Sequence, residues 1–123
     1  MTTLTAHPLR LVDSITELGP QDAGCLAVSG SHGGLSAGGY AIAARPWLSV
    51  FNDAGVGKDG AGIAALSQMQ EAGLAACTVA HTSACIGQAH STWDTGVVSH
   101  ANALALALGC LPGVRLREWA ESR

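Results

Sequence analysis

The chain has 123 residues, 48% hydrophobic and 12% charged, which is the size of one domain, 1–123, around one core and excludes an intrinsically disordered chain. Its 22 alanines and 16 glycines, against 4% aromatic residues, imply that close backbone packing replaces bulky side chains in much of the interior. A formal charge of -3 with only six Lys and Arg gives no basic field for a nucleic-acid backbone or an anionic membrane surface, so neither partner is expected.

Residues 1–19 lack a basic region followed by an unbroken apolar stretch, so no secretory leader is visible and a cytoplasmic protein is expected. Leu9 to Ile15 reads as a short edge strand, punctuated by Gly19-Pro20. Cys25 to Ser29 is an apolar run stopped by Gly30-Ser31-His32-Gly33-Gly34, after which Leu35 to Ala44 reads as a small-residue helix ended by Arg45-Pro46. The same unit recurs: a strand run Trp47 to Phe51, a polar Gly-rich loop Asn52 to Gly60, and a helix Ala61 to Glu71 with Gly73 as its C-terminal cap. Leu74 to Ala80 is a further apolar run, followed by His81-Thr82-Ser83 and a long loop through Trp93. Gly96 to His100 leads into a helix over Ala101 to Leu108, with Ser99 as its N-cap, and residues 112–123 hold one short amphipathic helix. The longest apolar stretches, 37–44 and 101–111, fall short of the roughly 20 residues that cross a bilayer.

Buried strand runs alternating with helices imply βαβ crossovers, and hence an α/β fold: a small three-layer α/β/α sandwich with a mostly parallel sheet of three to five strands. With so little aromatic volume and Ala-rich helices, one helical face is expected to pack on another subunit, making a homo-oligomer. Cys25, Cys77, Cys85 and Cys110 are scattered with no C-x-x-C spacing, and no H-x-x-x-H or H-x-H pair exists, so neither a structural metal nor a disulfide framework is expected.

In open α/β sheets the loops after the strand C-termini converge on one crevice, where helix N-termini present free N–H groups. Three such loops carry reactive side chains in an otherwise apolar chain. The first holds Ser29, Ser31 and His32, the second Asn52, Asp53, Lys58 and Asp59, the third His81, Thr82 and Ser83. Gly55-Val56-Gly57-Lys58-Asp59-Gly60 is formally G-x-G-x-x-G, but His81 stands where a dinucleotide site wants an acid, and residue 59 is Asp rather than the Ser or Thr of a P-loop. No cofactor is therefore expected. The loop holding Asn52, Asp53, Lys58 and Asp59 is able to orient a carboxylate or phosphate; Asp59 is read rather as the N-cap of the following helix, with a solvated Lys58 as the alternative.

Ser29-Gly30-Ser31-His32-Gly33, between an apolar strand and a helix, resembles the nucleophile elbow of the α/β-hydrolase family over residues 25–44, with Ser29 where that family usually has Gly. The resemblance implies Ser31 as nucleophile and the His32 N–H as oxyanion donor, with Asp53 and His81 following in the family's order of acid and histidine. The alternative for Ser31 is a helix-capping hydroxyl in a tight glycine turn. The expected function is a small-molecule hydrolase of acyl or amide type with Ser31, Asp53 and His81 as catalytic residues. His32, Gly33, Gly34, Asn52, Lys58, Thr82, Ser83 and His100 are expected to bind an anionic or polar small molecule. The competing readings are a proton-transfer lyase or isomerase, and a non-catalytic ligand-binding or accessory subunit.

Overall fold

The computed structural model describes residues 7–123; residues 1–6, the start of the stretch read for a leader, lie outside the described residues. Five strands form one sheet in sequence order: β1 (Leu9–Val12), β2 (Leu26–His32), β3 (Leu48–Asn52), β4 (Ala75–Val79) and β5 (Val98–Ala101). The first four are parallel and β5 runs antiparallel along β4. β3 and β4 are buried along their whole length, as central parallel strands covered on both faces must be.

Helices α1 (Leu35–Ala44) and α2 (Ala64–Glu71) cover one face, setting Ala37, Ala41, Ala65, Leu66 and Met69 against Ala27, Phe51 and Ala76 of the strands. Helices α3 (Ala89–Thr95), α4 (Ala103–Ala107) and α5 (Leu116–Glu121) cover the other, where Trp93, Ala105 and Leu116 meet Leu26, Val28, Leu48, Val50 and Val79. The result is the three-layer α/β/α sandwich expected from the alternation of runs. Cys77 and Cys110 are buried in the second core, where their mutual hydrogen bond and burial hold the Cys77 thiol far above its ordinary range. Among the described residues, no helix is long and apolar enough to cross a membrane.

Several local readings are corrected. β2 does not stop at Ser29 but runs on through Gly30 to His32, since Gly30 lets the Gly87–Gln88 backbone pack against the strand and its carbonyl takes the Gly87 N–H. The turn into α1 is Gly33-Gly34, and the N-cap, Gly34, offers no side chain to the helix. Asp59 caps nothing: it sits at φ 57 inside a 3-10 segment, Lys58–Ile63, and α2 begins only after it. The segment read as a loop through Trp93 contains α3. Ser99 lies in β5, and the cap of the next helix is Asn102, whose Oδ1 accepts the Ala105 N–H.

The connections position the site. β3 leads into α2 on the first face, whereas β4 leads through residues 80–88 to α3 on the second face, which packs back on β2. Neighbouring strands whose connections leave to opposite faces open a crevice between their C-terminal ends. Asp53 follows β3 and His81 follows β4 at that point.

Candidate functional site

Asp53 is the centre of the crevice and is only 4% exposed. Its backbone is held by an unusually strained loop: Ala54, Val56 and Asp59 have φ of 51, 67 and 57, alongside Gly55, Gly57 and Gly60 at positive φ. A β-branched residue such as Val56 in the left-handed region costs about 1–3 kcal/mol and persists only where its surroundings enforce it. Here the enforcing contacts are Val56 N–H to the Asp53 carbonyl at 2.7 Å and Gly62 N–H to the Val56 carbonyl at 2.7 Å. The carboxylate carried by this tight loop meets His81, just after β4, and Ser99 and His100 within β5.

Each carboxylate oxygen faces an imidazole. Oδ1 accepts the Gly55 N–H at 2.8 Å and the His81 backbone N–H at 3.0 Å, and lies 3.3 Å from His81 Nδ1. Oδ2 lies 4.0 Å from His100 Nδ1. Burial pushes the Asp53 carboxyl upward, but the Gly55 N–H, the Ser99 hydroxyl and the His81 backbone and ring outweigh it and hold the group below its ordinary range. A carboxylate this well satisfied favours its ionised form, and it hydrogen-bonds the His81 ring with the His100 ring close by.

His100 reaches Asp53 because the sheet is irregular there. Val98 pairs with Val79 and His100 with Thr78, so Ser99 is the extra residue of a β-bulge. Bulges re-aim side chains, and this one brings Ser99 and His100 to the same cluster. Ser99 Oγ lies 2.9 Å from Thr78 Oγ1 and 3.2 Å from His100 Nδ1. Ser99, His100 and Asp53 thus form a catalytic-like grouping of hydroxyl, imidazole and carboxylate near the strand ends. It differs from a serine-protease relay in one respect: the same ring nitrogen of His100 faces both Ser99 and Asp53, whereas a relay uses one nitrogen for each partner.

On the α3 side of this cluster, a cavity of about 580 Å³ is lined by His81, Thr82, Ser83, Cys85, Ile86 and neighbouring residues. Asn52, fully buried, forms its floor and joins the loops that carry Asp53 and His81: Oδ1 accepts the Ala54 N–H at 2.8 Å and Nδ2 donates to the Ala84 carbonyl at 3.1 Å.

Of the residues singled out in the sequence, Asp53, His81 and His100 come together, and Asn52, Thr82 and Ser83 line the adjoining cavity. Ser31 is placed elsewhere. Its hydroxyl accepts the Ile15 N–H at 2.9 Å and lines, with His32, a separate cavity of about 150 Å³ beside α1. The hydroxyl at the carboxylate is Ser99, and the strand-to-helix turn at Gly33-Gly34 carries no nucleophile. Lys58 is exposed, and its side chain makes no hydrogen bond or ion pair with the described residues. Compared with protein-family models, curated proteins and solved structures, the chain matches none. The likeness to the hydrolase elbow therefore remains local, and the α/β layering is what the fold shares with that class. Among the described residues no group of three or more His, Cys, Asp and Glu has the arrangement of a metal site.

The sequence reading missed Ser99 as a site residue, along with Cys85, Ile86, Ser91 and Thr95 of the cavity wall. The adjacent Ser99-His100 pair was the available signal, but its direction depends on the bulge. The cavity wall had none, because it depends on where α3 packs.

Proposed function

We propose that the protein is a small-molecule enzyme working by general acid–base proton transfer, of the lyase or isomerase class. His81 and His100 are its proton-carrying groups and Asp53 is the carboxylate that orients them. The observation that carries this reading is one buried, ionised carboxylate with an imidazole at each of its two oxygens. Histidine is the side chain best suited to exchange protons near neutral pH, and a paired base and acid can remove a proton from one position of a substrate and return one at another. Both rings are part-exposed, at 56% and 41%, so they remain open to a ligand while their Nδ1 atoms are directed inward.

Acyl or amide hydrolysis is the second reading, favoured by the Ser99 hydroxyl 3.2 Å from His100. It ranks lower because activating Ser99 as a nucleophile requires His100 to take the Ser99 proton at the nitrogen that also faces Asp53.

The deciding experiment incubates the protein in deuterated water with a panel of small hydroxy, keto and amido compounds and follows deuterium entering carbon positions by mass spectrometry. Acid–base catalysis gives incorporation that falls by about 10²- to 10⁴-fold in His81→Asn and His100→Asn. An adduct of a serine-reactive phosphonate at Ser99, with ester or amide cleavage abolished by Ser99→Ala, would overturn the proton-transfer reading in favour of hydrolysis.

A further inference from the structure

The cavity beside His81 has a wall of unusual composition for a site expected to hold an anion. It contains no Lys, Arg, Asp or Glu, and Ala54, Ala84 and Ile86 are among its apolar members. Several of its polar groups are already engaged. Ser83 Oγ donates to the Ala80 carbonyl at 2.7 Å and accepts the Val97 N–H at 3.0 Å. Thr95 Oγ1 donates to the Ser83 carbonyl at 2.6 Å, and Ser91 Oγ accepts the Cys85 N–H at 2.8 Å. The amide of Asn52 is bound on both sides beneath the floor.

A ligand carrying a full charge into such a cavity would lose part of its hydration and find no Lys, Arg, Asp or Glu on the wall to replace it, a net cost for either sign of charge. An anion would in addition approach the Asp53 carboxylate, which stands behind His81 with no Lys or Arg paired to it. An uncharged molecule avoids both penalties, and its apolar body fits the alanine and isoleucine surface.

We infer that this cavity binds an uncharged small molecule, with an apolar body against Ala54, Ala84 and Ile86 and one carbonyl or hydroxyl group turned to His81. The inference narrows the ligand expected from the sequence, anionic or polar, to the neutral class. It rests on the proton-transfer reading only for which ligand group meets His81. Lys58, the cation nearest in sequence to Asp53, is not part of the wall.

Three probes of one shape and different charge test it: cyclohexanecarboxamide, cyclohexanecarboxylate and cyclohexylammonium, titrated into the whole protein at mildly alkaline pH while backbone-amide resonances are followed. The carboxamide is expected to shift Ser83, Cys85 and Ile86 with a Kd at least about tenfold below those of the two ions, and to slow alkylation of Cys85, the one exposed thiol. Prior carbamidomethylation of Cys85, which places an added group on the cavity wall without altering the core, is expected to weaken the shifts. Equal or tighter binding of either ion at these amides, or no shift with the carboxamide, overturns the inference. His100→Asn, at a residue outside the cavity wall, separates it from the proposed function: loss of deuterium exchange with an unchanged carboxamide titration supports both. Retained exchange overturns the proton-transfer reading alone.

Discussion

At the scale of single residues, Asp53 does two kinds of work, and both are measurable. As the carboxylate that hydrogen-bonds His81 and faces His100, it should be irreplaceable by its neutral isostere. Asp53→Asn keeps the shape but exchanges an acceptor-only carboxylate for an amide, so one imidazole faces an N–H donor where it had an oxygen. Loss of solvent-proton exchange by about 10²- to 10⁴-fold is expected, with the fold intact by circular dichroism. As a carboxylate held below its ordinary range, Asp53 also links stability to pH. Its folded-state pKa lies under the unfolded value of about 4, so its stabilisation is fully present above that pH and is lost as pH falls through the lower folded value. The difference in Tm between wild type and Asp53→Asn should therefore shrink on acidification below about pH 4 and stay level above about pH 6. A difference that grows on acidification would mean that burial, rather than the hydrogen bonds of Gly55, Ser99 and His81, dominates the carboxyl group.

At the scale of elements, the joints between loops and helices carry the site, and two of them make sharp predictions. A Cβ on Gly62 would run into the Asp53 carbonyl and meet the Val56 carbonyl at 3.0 Å, all of it backbone that cannot swing aside. Gly62→Ala should destabilise by about 1–3 kcal/mol and displace Asp53, so activity should fall further than the unfolded fraction explains. Urea titration paired with the exchange assay separates the two effects. Asn102 is the second joint. Its Oδ1 accepts from Ala76 and Ala105 and its Nδ2 donates to Leu66 and Leu74, tying α2, β4 and α4 together in the interior. Asn102→Ala removes a helix cap worth about 1 kcal/mol and strands buried partners at about 1–3 kcal/mol each, so a loss of about 3 kcal/mol or more is expected in urea unfolding. A loss under about 1 kcal/mol would show that water replaces the amide.

These joints also mark where the sequence was legible. α1 ends at Ala44 as read, because Arg45 turns into the left-handed region and Pro46 follows it, both local effects. Asp53 and His81 could be picked out because each lies at the start of the polar loop that follows an apolar run. α3 was not legible, since Ala89–Thr95 is short, polar and rich in β-branched and turn-forming residues. What holds it is distant in sequence: Ala89 N–H bonds Asp13 Oδ1, Thr92 Oγ1 bonds the Ser29 carbonyl, and Trp93 enters the core. Ser31 was misplaced for the same reason. Its side of β2 is set by how the strand continues past Gly30, and that depends on Gly87.

At the scale of the whole molecule, the sandwich divides its labour between the two ends of the sheet. The C-terminal ends of the parallel strands hold the strained loop, the bulge and the cavity. Near the start of β3, at the opposite end, lies a stack of planar groups. His7 stacks on Trp47 at 3.9 Å between ring centroids, Trp47 and Trp119 are parallel at 6.4 Å, and the Arg123 guanidinium lies 4.9 Å from the first indole and 5.3 Å from the second. Arg123 also donates to the Leu108 carbonyl at 2.7 Å, so one side chain joins α5, the chain after α4 and the entry to β3. A guanidinium over two indoles contributes about 0.5–2 kcal/mol, which for a domain of this size is a few degrees of Tm. Arg123→Ala should therefore lower Tm by about 2–8 °C while leaving the exchange rate at 25 °C and the carboxamide titration of the cavity unchanged. Arg123→Lys, which keeps the charge but loses the planar fork, should recover only part of the loss. If the alanine variant instead lost activity at a temperature where it is fully folded, the two ends of the sheet would be coupled.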